Sequence, residues 1–214
     1  MKSFTYLGSC TNSSATLDNE LSLRIAKASS AFGRLRHRLW KDRGIKLQTK
    51  ISVYLSIIIP TLLYASETWT LYRKHINLLD AFHMRCLRSI LGVSLKDKLT
   101  NNEILSKCSC TGIESMLMKS QLRWLGHVVR MDDERIPKFL LYGECSQGSR
   151  RIGRPLLRYK DKAKANIKTL GLVDDWENLC QNRSDWRTMC FNSLKTFEDQ
   201  RREHRNLLHE RKKN

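Results

Sequence analysis

Apolar residues at helical spacing dominate the pattern of this chain from residue 17 onward. They recur every three or four positions along residues 17–39, which is typical of a helix that buries one face. The members of this first stripe are Leu17, Leu21, Ile25, Ala28, Phe32, Leu35 and Leu39. Further helices are predicted at about 47–65, 72–91, 100–107, 112–131, 155–170 and 183–212, that at 47–65 apolar on nearly every side and that at 155–170 starting at Pro155. Gly44 is expected to end the first helix, and Pro60 is expected to kink the second.

The first sixteen residues follow a different pattern. Aromatic and β-branched residues at positions 4–9 are typical of a short strand, which Gly8 would end. The polar run at 11–14 predicts a turn or loop. A single strand cannot bury itself, so this segment requires a sheet from elsewhere. We therefore predict a mainly α, multi-helix bundle with a short N-terminal strand remnant at 1–16, helices over 17–143 and a basic helical extension over 144–214.

The charge balance indicates an anionic partner. The 214 residues include 39 Lys and Arg against 21 Asp and Glu, a formal net charge of +18. Such an excess repels itself, so the composition favours RNA or DNA as the partner ahead of an acidic membrane. A well-solvated surface without a specific partner is the alternative. The apolar run 51–65 is too short and too interrupted to span a bilayer, so no membrane partner is expected.

The cysteines favour a reducing compartment. Seven cysteines without regular spacing, and a start that lacks the apolar core of a signal peptide, predict free thiols in the cytoplasm, the nucleus or both. Only one residue separates Cys108 from Cys110, whereas structural zinc sites use two to four. Cys180 and Cys190 are too far apart for a zinc knuckle. We therefore predict no metal and no other cofactor.

Two segments concentrate the basic residues. Residues 27–50 carry eight Lys and Arg with one acid, and residues 150–168 carry eight with Asp161 alone. Clusters of this density neutralise phosphates without reading bases, although a solvated helix face is the alternative for each. In the second segment, Gly153 and Pro155 beside arginines favour a loop held against a nucleic-acid backbone. The predicted nucleic-acid-binding residues are Arg24, Lys27, Arg34, Arg38, Lys41, Arg150, Arg151, Arg154, Arg158, Tyr159 and Lys160.

Aromatic and acidic residues add little chemistry. Trp40, Trp124, Trp176 and Trp186 occupy core-facing helical positions, which leaves Tyr159, among basic neighbours, as the candidate for stacking on a base. The carboxylate pair 132–133 falls at the end of a predicted helix, whereas polymerase doublets lie on a strand hairpin. We interpret this pair as solvated acids. Metal-dependent catalysis by Asp132 and Asp133 is the weaker alternative, and no catalytic residue is predicted.

Several short motifs follow one another in an order that resembles a known family. They are Phe4–Gly8, Arg24–Ala28, Phe32–Leu35, Leu62–Thr70, Phe82–Arg88, Leu122–Met131 and Gly153–Pro155. Together they resemble the region after the palm in LINE-type (non-LTR) retrotransposon reverse transcriptases. The resemblance covers nearly the whole chain.

The resemblance implies a thumb-like helical region and a C-terminal extension that hold RNA template and DNA target. Residues 1–16 would be the last strand of the palm. The family's catalytic aspartates lie upstream in a Phe/Tyr-x-Asp-Asp hairpin, which this sequence lacks, as it lacks the endonuclease domain. We therefore expect a non-catalytic fragment that binds RNA or DNA backbones, with the missing palm and finger domains as further partners. A helical interaction module with an acidic protein partner is the alternative.

Overall fold

Two compact units make up the chain in the computed structural model, which describes residues 3–6, 8–12, 16–143, 157–172 and 175–211. Unit 1 combines Met1–Ala65, Leu71–Glu114 and His204–Asn214. Unit 2 combines Ser66–Thr70 with Ser115–Glu203. The division into three consecutive segments, with boundaries after residues 16 and 143, stays a prediction.

Helices dominate the described residues, so the prediction of a mainly α, multi-helix fold is confirmed. The strands are β1 (Ser3–Tyr6) and β2 (Ser9–Asn12). The α-helices are α1 (Asp18–Arg34), α2 (Leu47–Val53), α3 (Ile59–Leu62), α4 (Arg73–Leu91), α5 (Asn101–Lys107), α6 (Ile113–Val129), α7 (Ile136–Tyr142), α8 (Tyr159–Thr169), α9 (Trp176–Gln181) and α10 (Arg183–Glu210). Wider π-helical turns occupy Arg36–Trp40 and Tyr54–Ile58, and 3₁₀ turns occupy Ser66–Thr68 and Leu95–Asp97. None of the helices in the described ranges has the length and apolar character that a bilayer crossing needs.

The N-terminal strand has a partner within the chain, which corrects the expectation of a lone strand followed by a turn. β1 pairs antiparallel with β2, from Ser3 opposite Asn12 to Tyr6 opposite Ser9. Gly8 lies between the strands with a φ of +82°, a conformation that glycine adopts without strain. Helix α1 then binds the backbone of the hairpin through Glu20 and Arg24. The local sequence pattern does not predict these contacts.

The first helix ends well before Gly44, the residue expected to end it. Beyond Arg34 the backbone widens, and the Trp40 and Lys41 N–H groups each donate to the carbonyl five residues earlier, at 3.2 and 3.0 Å. The Trp40 ring stacks on Phe32, with 4.8 Å between centroids, and its Nε1–H donates to the Phe32 carbonyl at 2.7 Å. This contact of a buried indole stabilises the π turn, and a count of helical periods cannot show it.

The second helix is interrupted by a π turn just before Pro60, and it ends at Leu62 rather than at residue 65; the kink expected at Pro60 stays a prediction. A π turn starts at Tyr54, in which the Ile59 N–H donates to the Tyr54 carbonyl. Pro60 has no N–H with which to continue a regular ladder. The Tyr54 hydroxyl is fixed by a buried hydrogen bond with His83 Nδ1 at 2.8 Å. The predicted single helix is therefore α2, a π turn and α3 in succession.

Helix ends elsewhere follow local signals. Gly92, with a φ of +69°, ends α4 where the sequence predicts. The Thr100 hydroxyl accepts the Glu103 N–H at 3.2 Å and caps α5. Helix α8 begins at Tyr159, later than Pro155, which lies outside the described residues. Helices α7 and α9 are missing from the predictions, because seven and six residues are too few to display a full stripe.

Each unit has its own apolar core. Fully buried side chains in unit 1 are Leu21, Ala28, Tyr54, Ile58, Leu62, Leu79, Leu87 and Ile104. The core of unit 2 includes Leu122, Leu125, Val128, Ile167, Cys180, Trp186 and Leu194. Gly126 allows the close approach of Trp186, because an added Cβ would lie 2.3 Å from the indole Nε1. Core positions are thus confirmed for Trp40 and Trp186, while Trp124 and Trp176 are partly buried against unit 2's core.

Candidate nucleic-acid interface

A concentration of exposed positive charge lies on the basic turn, which we define as Arg34–Lys46. This segment comprises the end of α1, the first π turn and the loop before α2. Its exposed cations are Arg34, Arg36, Arg38, Lys41, Arg43 and Lys46. None of these six side chains pairs with a carboxylate among the residues that the structure describes. The basic turn therefore presents six cations to solvent from one short segment.

Lys50 fixes the backbone of the basic turn. Its side chain is buried, and Nζ donates to the carbonyls of Trp40 at 3.1 Å and Asp42 at 2.7 Å. The Trp40 carbonyl lies at the C-terminal end of a helical turn, where carbonyls without helical partners favour a cation. One of the eight basic residues of 27–50 is therefore structural, and it holds the segment that carries six of the other seven.

The single carboxylate of the basic turn forms a hydrogen bond with the backbone of its own loop. Asp42 Oδ1 accepts the Gly44 N–H at 2.8 Å, an arrangement that aspartate commonly forms with backbone two residues on. The sequence shows that Asp42 is the nearest acid to these cations, but it does not show where the carboxylate is bound. Within the described residues Asp42 forms no ion pair with the neighbouring cations, which are exposed.

Arg24 and Lys27 lie on the same helix but differ in environment. Arg24 is buried, with Nε donating to Glu20 Oε1 at 2.7 Å and Nη2 donating to the Gly8 carbonyl at 2.6 Å. Its guanidinium also lies 4.3 Å from the centre of the Tyr64 ring. These contacts hold the hairpin against α1 and correct the expectation that Arg24 contacts phosphate. Lys27 is exposed and stays a predicted contact.

The basic residues at the start of α8 belong to unit 2. Arg158 is exposed and lies 3.5 Å from Asp161, three residues along the chain. Lys160 is half-buried. Arg150, Arg151 and Arg154 lie outside the described residues. The structure thus gathers Arg34, Arg38 and Lys41 on the basic turn of unit 1 and places Arg158 and Lys160 in unit 2.

Tyr159 packs inward, which disfavours the stacking role predicted for it. The ring packs against the core of unit 2, and the hydroxyl donates to the Gln121 carbonyl at 3.5 Å. Burial raises the pKa of Tyr159 to about 12. The core therefore occupies part of the ring surface that a stacked base would need.

The acids and thiols that could act in catalysis or bind a metal are not arranged for either role among the described residues. Asp132 and Asp133 are exposed beyond the end of α6, and Asp133 pairs with Lys138 at 2.8 Å. Burial raises the pKa of Cys86 and of Cys110 to about 12, so both thiols are protonated at neutral pH. Thiolates are the metal ligands and nucleophiles. No group of three or more metal-ligating side chains comes together within the described ranges.

Comparison with known proteins bears on the origin of the chain. It is similar to a transposon-derived protein of the nematode Caenorhabditis elegans, with 24% identity over 191 residues that cover 86% of this chain and 68% of the relative. This similarity supports an origin from a transposable element. No protein family matches the chain, and no solved structure matches it.

Three exposed cations of the basic turn are absent from the predicted contacts. Arg36, Arg43 and Lys46 are exposed, and so are Arg38 and Lys41. The predicted contacts are the cations on one flank of a regular α-helix. Cations that point in other directions from such a helix are therefore left out. The π turn and the loop that follows it change those directions, so all six cations of the segment are exposed while Trp40 is buried. The high density of Lys and Arg between residues 34 and 46 is the signal that could have included them.

Proposed function

We propose that this chain is part of a non-LTR retrotransposon reverse transcriptase, from the region after the palm, and that it binds RNA or DNA backbones without polymerising. The similarity to a transposon-derived protein and the order of the family-like motifs support the assignment. The observation that carries the binding role is the basic turn, with six exposed cations and no carboxylate partner within the described residues.

The basic turn suits a phosphate backbone because its charges need no rearrangement. Exposed ion pairs must be broken before a new anion is bound, and cations without partners avoid that cost. Each neutralised phosphate releases condensed counterions, which makes the affinity strongly dependent on salt. Arginine and lysine on a solvent-exposed turn contact phosphates without reaching base edges, so binding is independent of sequence.

Other residues have supporting roles in this proposal. Lys27, Arg158 and Lys160 add phosphate contacts, as do Arg150, Arg151 and Arg154, which lie outside the described residues. The polymerising aspartates, and the palm and fingers that carry them, would be supplied by the parent reverse transcriptase. The chain itself provides no catalytic residue and takes no cofactor.

A charge-matched pair of triple variants tests the binding role. In the first, Arg36, Arg38 and Lys41 of the basic turn are changed to Gln. In the control, Arg85, Lys96 and Lys107 are changed to Gln, three exposed cations of the same unit outside the basic turn. Binding of a 20-nucleotide single strand and of a duplex is measured from low to high salt by fluorescence anisotropy.

The first variant should lower the slope of log affinity against log salt by roughly 2–3, and the control by less than about 1. The loss should be equal for unrelated base sequences. Equal slopes for the two variants would refute an interface on the basic turn. If the unmodified chain bound neither strand at low salt but bound an acidic protein, the interaction-module alternative would replace this proposal. Nucleotide incorporation by the isolated chain would contradict its non-catalytic character.

A further inference from the structure

A cavity of about 420 Å³ lies within unit 1, away from the residues assigned to the basic turn. It is lined by side chains from the end of α4, the loop into α5 and the last turns of α10. The cationic and imidazole groups are Arg88, Lys98, Arg205 and His209, and the amides include Asn101 and Asn206. No carboxylate belongs to the lining formed by the described residues.

Arg88 is positioned in this cavity with donors to spare. Its Nη2 donates to Asn101 Oδ1 at 2.7 Å and to the Leu99 carbonyl at 3.3 Å. A guanidinium carries five N–H donors, so Nε and Nη1 retain theirs within the described surroundings. The two contacts orient the planar group, which reduces the entropy lost when an anion binds. Arg88 is therefore a preorganised hydrogen-bond donor for an anion.

Lys98 and Arg205 complete the positive lining. Lys98 is exposed and has a φ of +54°, an uncommon conformation for a residue with a side chain. Arg205 lies 3.8 Å from Asp80, a long separation for an ion pair. Among the ion pairs of the described residues, Asp80 pairs with Arg205 and offsets part of the local positive charge. The Glu103 carboxylate accepts the N–H of the lining residue Thr100. Arg88 and Lys98 have no such carboxylate among the described residues.

The size and the neutral groups of the cavity exclude a phosphate ion as its full occupant. One water accounts for about 30 Å³ of liquid volume, so the cavity has room for a ligand much larger than a single tetrahedral anion. Cavities that bind small organic molecules have volumes of roughly 300–1,000 Å³. Amide side chains bond both the donors and the acceptors of base edges. Asn206 accepts a bond from Asn102 Nδ2 at 2.7 Å, which orients it beside the cations.

We propose that this cavity binds one nucleotide, with the phosphate on Arg88, Lys98 and Arg205 and the nucleoside beside the asparagines. The proposal goes beyond the binding of a backbone by the basic turn. A mononucleotide can occupy the cavity whether or not the basic turn binds a strand. The two proposals can therefore fail separately.

Calorimetric titration of the full chain with AMP, adenosine and inorganic phosphate tests the proposal. AMP should bind at least tenfold more tightly than either adenosine or phosphate, because only AMP uses both parts of the cavity. Lys98→Gln should weaken AMP binding at least fivefold. Lys96→Gln removes an equal charge two residues away, outside the lining, and should leave AMP binding unchanged.

Further variants separate the outcomes. Arg88→Gln should weaken AMP binding as Lys98→Gln does, and circular dichroism checks that each variant is folded. The triple variant of the basic turn should bind AMP as the unmodified chain does. The proposal is overturned if AMP does not bind, if phosphate binds as tightly as AMP, or if Lys98→Gln and Lys96→Gln have equal effects.

Discussion

The basic turn and the start of α8 have similar compositions but different environments. In the basic turn, the only acid bonds to the Gly44 backbone, and six cations stay exposed without a carboxylate partner in the described chain. At the start of α8, Arg158 has Asp161 within 3.5 Å, and Tyr159 and Lys160 are partly buried in unit 2. Positive charge in a sequence thus indicates a binding surface only when local acids are occupied elsewhere.

Helix α1 shows the same contrast within a single turn. Arg24 is used inside the fold and Lys27 is exposed, although the two are three residues apart on one helix. Burial of Arg24 depends on Glu20 one turn earlier and on the hairpin carbonyl of Gly8. Each of the following predictions tests whether a given side chain contributes to the fold or to a binding surface.

The largest effect is expected for Arg24→Met compared with Lys27→Met. Loss of the guanidinium leaves the buried carboxylate of Glu20 without its partner, which should lower the free energy of unfolding by about 3–5 kcal/mol. The exposed Lys27 should contribute within about 0.5 kcal/mol. Denaturant unfolding followed by circular dichroism measures both. Equal stabilities would mean that Arg24 does not hold the hairpin.

A slightly smaller effect is expected for Lys50→Met, with Lys46→Met as its control. Removal of the Lys50 ammonium leaves two backbone carbonyls without a donor, at an expected cost of about 2–4 kcal/mol. Lys46 is exposed, so its replacement should leave stability unchanged within about 0.5 kcal/mol. Thermal and urea unfolding compare the two. If Lys46→Met were the more destabilising, the structural role of Lys50 would be wrong.

The cations of α8 should contribute less to binding than those of the basic turn. A double change of Arg158 and Lys160 to Gln should lower the slope of log affinity against log salt by less than about 1, against roughly 2–3 for the triple variant of the basic turn. Asp161 already offsets part of this charge. An equal or larger slope change from α8 would reverse the comparison of the two regions.

The smallest effect is expected for Tyr159. Tyr159→Phe keeps the aromatic face and serves as the control, with an expected change in affinity for a single strand of less than about twofold. A stacked base contributes about 1–3 kcal/mol, or fivefold and more. Tyr159→Leu keeps an apolar side chain but removes the aromatic face, and it should also bind normally. A fivefold loss in a folded Tyr159→Leu protein would restore the stacking hypothesis.

The sequence predicts the helices with long stripes and clear ends, such as α4 with Gly92 and α5 with its Thr100 cap. It does not predict features that depend on distant contacts. The hairpin requires Glu20 and Arg24, and the early end of α1 requires the stacking of Trp40 on Phe32. Helices α7 and α9 are too short for periodicity to reveal.

The candidate interface is predicted in part for the same reason. The density of Lys and Arg locates the basic turn, but it cannot separate Lys50 and Arg24, which are buried, from Lys41 and Lys27, which are exposed. The cavity lined by Arg88 and Arg205 joins residues far apart in sequence. No local pattern places them together.

The two π turns also bear on how the chain tolerates changes in length. A π turn holds one residue more than the α-helical ladder around it requires. Deletion of one residue within Arg36–Trp40 would allow a regular α-helical turn at the end of this helix, and it would rotate the side chains between the deletion and Trp40 by about 100°. Trp40 would then leave Phe32, and the cations beyond it would change direction. Loss of a single codon at this point would therefore preserve the helix but dismantle the surface.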